Sequence, residues 1–292
     1  SGLAALCLRG RALLPIVQGG MGVGVSAHKL AGSVAALGGV GTISSVDLRR
    51  HHPDLMERTQ GLASRVGQDA DTKAKIDAAN LEAIGREIRA ARELSQGRGL
   101  IAINVMRAVA EYAASVKKAL EAGIDAVVVG AGLPLDLPEI AKNHPQTALI
   151  PILSDARGVQ LLVRKWEKKG RLPDAIVIEH PRLAGGHLGA AKVSDLQDTR
   201  FEFDQVIPAV LEFFKTAGIE GKIPLIAAGG IGSRQDLLRL QALGASAVQI
   251  GTAFAVTEEC DADPVFNRVL AEARPEDVVE FVSVAGLPAR AV

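Results

Sequence analysis

The chain has 292 residues, of which 48% are hydrophobic and only 3% are aromatic. It carries 33 basic (Lys and Arg) and 33 acidic residues, so its formal net charge is zero, and no dense basic run is present. This balance argues against nucleic acid as a partner. A core made mainly of Ala, Val, Leu and Ile is typical of buried parallel strands.

The cysteine content and the apolar runs bear on the compartment. The two cysteines, Cys7 and Cys260, form no CxxC motif, which favours a reducing compartment and gives no sign of a structural metal site. The apolar runs are much shorter than the roughly 20 residues of a membrane helix, and no leader-like segment opens the chain. We therefore expect a cytoplasmic protein with no bound metal and no membrane association.

Short apolar runs rich in β-branched residues recur along the chain and predict strands. These runs span residues 13–20, 40–45, 100–106, 125–132, 148–155, 174–180, 224–230 and 247–253. Amphipathic patterns between them predict helices, among them 28–37, 108–123, 158–170, 203–218 and 233–245. The alternation predicts an α/β fold, a TIM-type (β/α)8 barrel in a single domain over residues 1–292. An open doubly wound sheet is the alternative, because sequence does not reveal sheet edges.

Two segments exceed what a barrel needs. Residues 47–97 are rich in charge and in helix formers, and residues 191–204 read "AKVSDLQDTRFEFD". We interpret both as inserted helical or lid segments that could cover the mouth of the barrel. Surface decoration away from the mouth explains them equally well.

Glycines follow the last two predicted strands. Gly229 and Gly230 come just before a predicted helix, and Gly251 is followed by Thr252. Bare main-chain N–H groups and the positive end of a helix bind anions, and barrels commonly hold phosphate after these two strands. Turn geometry alone would also call for glycine, but the paired pattern favours a phosphate group.

The segment "LAGGHLGA" (183–190) combines several glycines with one imidazole. The glycines remove side chains from the path of an approaching ligand, and His187 is the one group of the segment that exchanges a proton near neutral pH. His187 is therefore the predicted catalytic residue, with a turn-capping histidine as the alternative. His180, at the end of the sixth predicted strand, is a candidate substrate contact or a structural residue.

Five motifs carry a family resemblance: "PIVQGGMG" (15–22), "INVM" (103–106), "IEHPRLAGGHLGA" (178–190), "IAAGGIG" (226–232) and "QIGTAF" (249–254). Together they resemble the FMN-dependent nitronate monooxygenase (2-nitropropane dioxygenase-like) family over nearly the whole chain, and AGGH is the most specific of them. Flavin enoyl-acyl-carrier-protein reductases and flavin NADH:quinone reductases are similar over the same motifs. Leu183 departs from the family, which often has an acidic residue just before AGGH.

The resemblance implies that FMN is the cofactor, and it implies roles for individual residues. Around the isoalloxazine ring it implies Gln18, Gly19, Gly20, Met21, Asn104, Gly186 and His187, and around the phosphate Gly229, Gly230, Gly251 and Thr252. Asn104 would hydrogen-bond the flavin, and Gly186 with His187 would lie over its reactive face.

The implied activity is the oxidation of alkyl nitronates or nitroalkanes with O2. His187 would then stabilise the anionic nitro group or act as a base towards a neutral nitroalkane. The alternative enzyme is an NAD(P)H-dependent flavin reductase acting on a quinone or an enoyl thioester, with His187 polarising the thioester carbonyl. A non-catalytic flavin- or phosphate-binding barrel is the alternative of another class. A homo-oligomer is compatible with the sequence.

Overall fold

The computed structural model describes residues 3–62, 70–189, 192–283, 286 and 288–292. Its strands are β1 (Leu6–Leu8), β2 (Arg11–Leu13), β3 (Ile16–Gln18), β4 (Val40–Ser44), β5 (Leu100–Met106), β6 (Ala126–Gly130), β7 (Ala148–Leu153), β8 (Ile176–Glu179), β9 (Gly186–His187), β10 (Leu225–Ala228), β11 (Ala247–Ile250), β12 (Val279–Val282) and β13 (Pro288–Ala291). Its α-helices are α1 (His28–Ala36), α2 (Pro53–Arg58), α3 (Ala70–Ser95), α4 (Tyr112–Glu121), α5 (Leu137–Ile140), α6 (Ala156–Glu167), α7 (Phe203–Thr216), α8 (Arg234–Ala242), α9 (Thr252–Ala255) and α10 (Pro264–Glu272).

A closed parallel barrel forms the centre of the fold. Its strand order is β10-β11-β3-β4-β5-β6-β7-β8, and each neighbouring pair is parallel. The predicted TIM-type barrel is confirmed, and the open doubly wound sheet is excluded because the sheet closes on itself. Several strands are shorter than predicted, since the glycines and polar residues at their carboxyl ends leave the hydrogen-bonded ladder and begin the loops.

Side-chain alternation divides the barrel strands into two hydrophobic clusters. In β8, Val177 belongs to the interior cluster, whereas Ile178 packs outward against the helices. Hairpin β1–β2 closes the amino-terminal end of the barrel, where Leu6, Leu8 and Leu13 join the interior cluster. The interior is therefore apolar from its base almost to its mouth.

The two segments predicted as insertions have separate positions. In residues 47–97, helix α3 packs against α1 and α4 and connects β4 to β5, as an outer-layer helix of the barrel does; residues 63–69 lie outside the described part of the chain. The segment 191–204 forms two short 3-10 turns and buries Leu196 and Phe201. Residues 190 and 191 also lie outside the described part. A lid function stays a prediction for both segments, as does the single-domain assignment.

A second, small antiparallel sheet forms near the end of the chain from β12, β13 and β9. It pairs Ala289 with His187 and Arg290 with Gly186. Local sequence does not predict this sheet, because β9 has two residues and its partner lies about a hundred residues further on. Among the described residues, no helix combines the length and the apolar character that a membrane span requires.

Candidate active site

A layer of polar side chains lines the carboxyl-terminal mouth of the barrel. These residues stand two positions beyond members of the interior cluster, so strand alternation turns them to the same face. They are Thr42, Asn104 and Glu179. Gln249 in β11 and Ser154, directly after β7, follow the same alternation. In a (β/α)8 barrel this end carries the functional groups.

Four of the predicted site residues come together beside β5. A Cβ atom on Gly20 would lie 2.3 Å from the Cβ atom of Asn104, so Gly20 packs where no side chain fits. Met21 donates its main-chain N–H to Ser26 Oγ at 2.9 Å. A Cβ atom on Gly251 would lie 3.5 Å from the Met21 sulfur. The loop after β3 therefore lies directly against the ends of β5 and β11.

Gln18 is fully buried and bonded to main chain on two sides. Its Oε1 accepts the N–H of Thr42 at 2.8 Å, and its Nε2 donates to the carbonyl of Thr42 at 3.0 Å and to that of Gly19. The side chain thus extends the ladder between β3 and β4 and fixes the loop that carries Gly19 and Gly20. Contact between Gln18 and an isoalloxazine ring stays a prediction.

The side-chain amide of Asn104 is available for a hydrogen bond. The main-chain carbonyl of Asn104 accepts the N–H of Ser45 at 3.0 Å, but within the described part of the chain no hydrogen bond involves its side-chain amide. The nearby hydroxyl of Thr42 is buried without a hydrogen-bond partner. Buried polar groups without partners are rare in folded proteins, so the Thr42 hydroxyl, together with the half-buried Asn104 amide beside it, marks a place where a ligand can bind.

The glycines of the predicted phosphate site lie at the ends of the neighbouring strands β10 and β11. Gly229 and Gly230 have φ angles of 106° and 67°, in the region that favours glycine. Across the ranges that the structure describes, Gly230, Gly251 and Thr252 donate their N–H groups to no other residue. These free donors are suited to an anion.

The sequence also predicts that the positive end of α8 contributes to the anion site. In the structure, a side chain of the helix itself occupies this end. Asp236 accepts the N–H groups of Gly232 and Ser233 at 3.2 and 3.0 Å, and Ser233 caps the helix in return. The hydrogen bond from the Ser233 side chain holds the pKa of Asp236 below its usual value. An anion is therefore expected at the glycine turns themselves and not at α8.

His187 is half-buried on β9, and its Nε2 lies 3.0 Å from Ser283 Oγ. Gly186, with φ of 71°, precedes it. Arg290 donates to the carbonyl of Ala184 at 2.7 Å, which ties the AGGH loop to the last strand. Sequence reasoning missed Ser283, since nothing in its local surroundings reveals a partner 96 residues away.

Unlike His187, His180 points away from the mouth of the barrel. Its side chain is 1% exposed, its Nε2 lies 3.2 Å from Glu202 Oε2, and its ring packs edge-on against Phe203 with centroids 5.3 Å apart. Glu202 also binds Arg182 at 2.8 Å. This burial favours the structural role of His180 over contact with a substrate at the mouth.

Glu179, the neighbour of His180, is turned to the mouth. Desolvation by burial raises its pKa to about 7, and no hydrogen bond or ion pair joins its carboxyl to another described residue. A Cβ atom on Gly189 would lie 2.0 Å from Ser154 Oγ and 3.8 Å from Glu179 Oε2, so the AGGH loop runs close above both side chains. Asp155, by contrast, caps α6 by accepting the N–H of Gly158 at 2.7 Å.

The family model described as nitronate monooxygenase matches residues 11–292 of the chain. A probable nitronate monooxygenase of Staphylococcus saprophyticus is 26% identical over 290 residues, which cover 95% of this chain and 75% of the relative. One of Bacillus subtilis is 25% identical over 283 residues, covering 95% of this chain and 76% of the relative.

Solved structures agree with the barrel. FabK from Thermotoga maritima is similar with a TM-score of 0.65 and 26% identity, over 94% of this chain and 70% of that one. The nitroalkane oxidase from Streptomyces ansochromogenes has a TM-score of 0.62 and 22% identity, over 94% and 76% of the two chains. At that identity the second likeness establishes the fold alone.

Proposed function

The chain belongs to the nitronate monooxygenase family, and on this premise we propose that it oxidises alkyl nitronates or nitroalkanes with O2, using FMN. Membership makes it an oxidoreductase that acts on a small molecule, which sets aside the non-catalytic barrel. The observation that carries the proposal is the gathering of unsatisfied polar groups at one mouth: the Asn104 amide and the free N–H groups of Gly230, Gly251 and Thr252.

The residues present fit FMN. Its phosphate needs N–H donors, and the turns after β10 and β11 offer those of Gly230, Gly251 and Thr252. Gly20 packs directly against Asn104, where no side chain fits, and the Asn104 amide has a hydrogen bond to give to a ligand at the mouth. When bound, FMN supplies the electron chemistry, and the protein supplies position and electrostatics.

In this proposal, His187 contacts the substrate. Towards a nitronate, its imidazole donates a hydrogen bond to the anionic nitro group. Towards a neutral nitroalkane, it removes the α-proton, so that the C–H electron pair forms the C=N bond of the nitronate. The Ser283 hydroxyl at 3.0 Å holds the ring in place for either task.

An NAD(P)H-dependent flavin reductase acting on a quinone or an enoyl thioester is the second candidate, and the likeness to FabK fits it. The two candidates differ in the source of electrons. A monooxygenase of this type takes them from the nitronate, whereas the reductase takes them from the nicotinamide.

The deciding experiment is anaerobic absorbance spectroscopy of the FMN-loaded protein with propyl nitronate, NADH and NADPH in separate cuvettes. We expect nitronate alone to change the flavin spectrum. Bleaching by a nicotinamide alone would replace the proposal with the reductase, and a protein that retains no FMN after reconstitution would contradict both.

A further inference from the structure

Glu179 lies between the two glycine segments on which the proposed function depends. It is the register partner of Ala228 in β10, directly before Gly229 and Gly230. On its other side, its carboxyl oxygen is 3.8 Å from the place of a Cβ atom on Gly189, two residues after His187. A carboxyl group in this position faces the mouth of the barrel from the end of β8.

The charged and titratable groups around Glu179 are committed elsewhere. At the end of β7, Asp155 caps α6. In the loop above, His187 is bonded to Ser283, and on the same strand His180 is bonded to Glu202. The end of β10 contributes only Gly229 and Gly230.

No cation therefore compensates a negative charge on Glu179 among the described residues. Burial alone sets its pKa near 7, so the group is divided between its charged and neutral forms at neutral pH. Added negative charge nearby must shift this division towards the neutral form, because a like charge disfavours ionisation.

We propose that Glu179 is a redox-linked acid, which binds a proton when the flavin is reduced and releases it when the flavin is reoxidised. This rests on the proposed function. On reduction, one electron passes from the nitronate to the bound flavin and adds one negative charge there, and the Glu179 carboxylate takes one proton from solvent to form an O–H bond. On reoxidation the same electron passes to O2 and gives superoxide, the O–H bond breaks, and the proton returns to solvent.

The test is reduced-minus-oxidised infrared difference spectroscopy of the FMN-loaded protein, photoreduced without substrate about one pH unit above the pKa of Glu179. The wild type should gain a protonated carboxyl C=O band that shifts in D2O. Glu179→Gln should lack it, and Glu258→Gln, which removes an exposed carboxylate beyond β11, should keep it. In weak buffer with a pH indicator, Glu179→Gln should take up fewer protons per flavin reduced than the wild type does, and the difference should reach up to about one proton.

Either of two results would overturn the inference: no such band in the wild type, or an unchanged band in Glu179→Gln. The wild-type spectrum decides alone if the variant does not fold or does not bind FMN. Failure of the proposed function is separate, because it shows as a protein that binds no FMN or whose flavin nitronate does not reduce.

Discussion

The two ends of the barrel are each covered by a hairpin, and the hairpins differ in kind. At the base, β1–β2 inserts Leu6, Leu8 and Leu13 into the interior cluster. Near the mouth, all four residues of β12 are exposed, and the segment reaches the site through the polar contact of Ser283 with His187. One hairpin closes the apolar core, and the other contacts the side chain that we propose as catalytic.

The polar groups at the two ends of the barrel differ in whether other side chains pair with them. A cavity of about 650 Å³ lies at the base, and on its wall Asp174 binds Arg9 at 3.1 Å and Arg171 at 2.6 Å. At the mouth, Asn104 and Glu179 have no such partners among the described residues. We therefore base the proposed site on the unpaired polar groups at the carboxyl ends of the barrel strands, and not on cavity size.

The largest effect should come from His187→Ala. Loss of a positioned acid–base group typically lowers turnover about 100- to 10,000-fold, while FMN binding at the turns after β10 and β11 should persist. Stopped-flow reduction of the flavin by propyl nitronate measures the loss, and flavin absorbance measures occupancy. A variant with full occupancy and wild-type turnover would show that the mouth is organised around another residue.

Gly230→Asp tests the proposed phosphate site. A carboxylate facing the phosphate costs several kcal/mol, which corresponds to roughly a hundredfold or greater loss of FMN affinity. Gly230→Ala is the matched control, because it introduces the same crowding against Leu183, 3.0 Å away, without the charge. Equal FMN dissociation constants for the two variants, measured by fluorescence titration, would rule out a phosphate beside Gly230.

Leu8→Ala tests the base. Leu8 is 1% exposed, and truncating a buried leucine lowers the free energy of unfolding by about 2–5 kcal/mol. Thermal and denaturant unfolding should show this loss, while FMN affinity and nitronate kinetics at a permissive temperature stay at wild-type values. A comparable loss of FMN affinity would mean that the two ends are coupled.

The sequence predicts the barrel strands better than it predicts the two hairpins and the side chains at the mouth. All eight barrel strands follow from apolar runs, because each is buried on both faces and bounded by glycine or polar residues. For the same reason the runs carry no in–out alternation, so nothing distinguishes Glu179, which faces the mouth, from His180, which does not. Hairpins β1–β2 and β12–β13 escape prediction because their short strands include charged residues and stand outside the alternation of strand and helix, as RAL in β2 and PARA in β13 illustrate. The contact of Ser283 with His187 depends on tertiary folding alone.

Ser283→Ala should have a smaller effect than His187→Ala. A neutral hydrogen bond contributes about 0.5–1.5 kcal/mol net, so misplacing the imidazole should lower turnover by about two- to tenfold. Flavin reduction rates measure this, and Ser283→Thr, which keeps a hydroxyl, should recover part of the loss. If Ser283→Ala reduces its flavin at the wild-type rate, the β12–β13 hairpin has no functional role through this contact.

The smallest effect concerns the start of α1, where the loop from Gly19 to Ala27 ends. Glu87 accepts the main-chain N–H of His28 at 2.7 Å and its Nδ1 at 2.8 Å, and this side-chain hydrogen bond raises the pKa of His28 above 6.5. Burial opposes the ionisation of Glu87, but the bond and charge of His28 lower its pKa nonetheless. Asp261 binds the neighbouring N–H groups of Ala27 and Lys29.

A raised histidine pKa stabilises the fold fully below the unfolded-state value, and the contribution disappears as the pH rises through the folded-state value. His28→Gln should therefore lower the melting temperature most in mildly acidic buffer, and its difference from the wild type should shrink with increasing pH. Thermal scans across neutral pH measure this difference, with His144→Gln as a control that breaks no described ion pair. A difference that grows with pH would mean that protonated His28 does not hold the start of α1, so the loop at the mouth would depend on Asp261 instead.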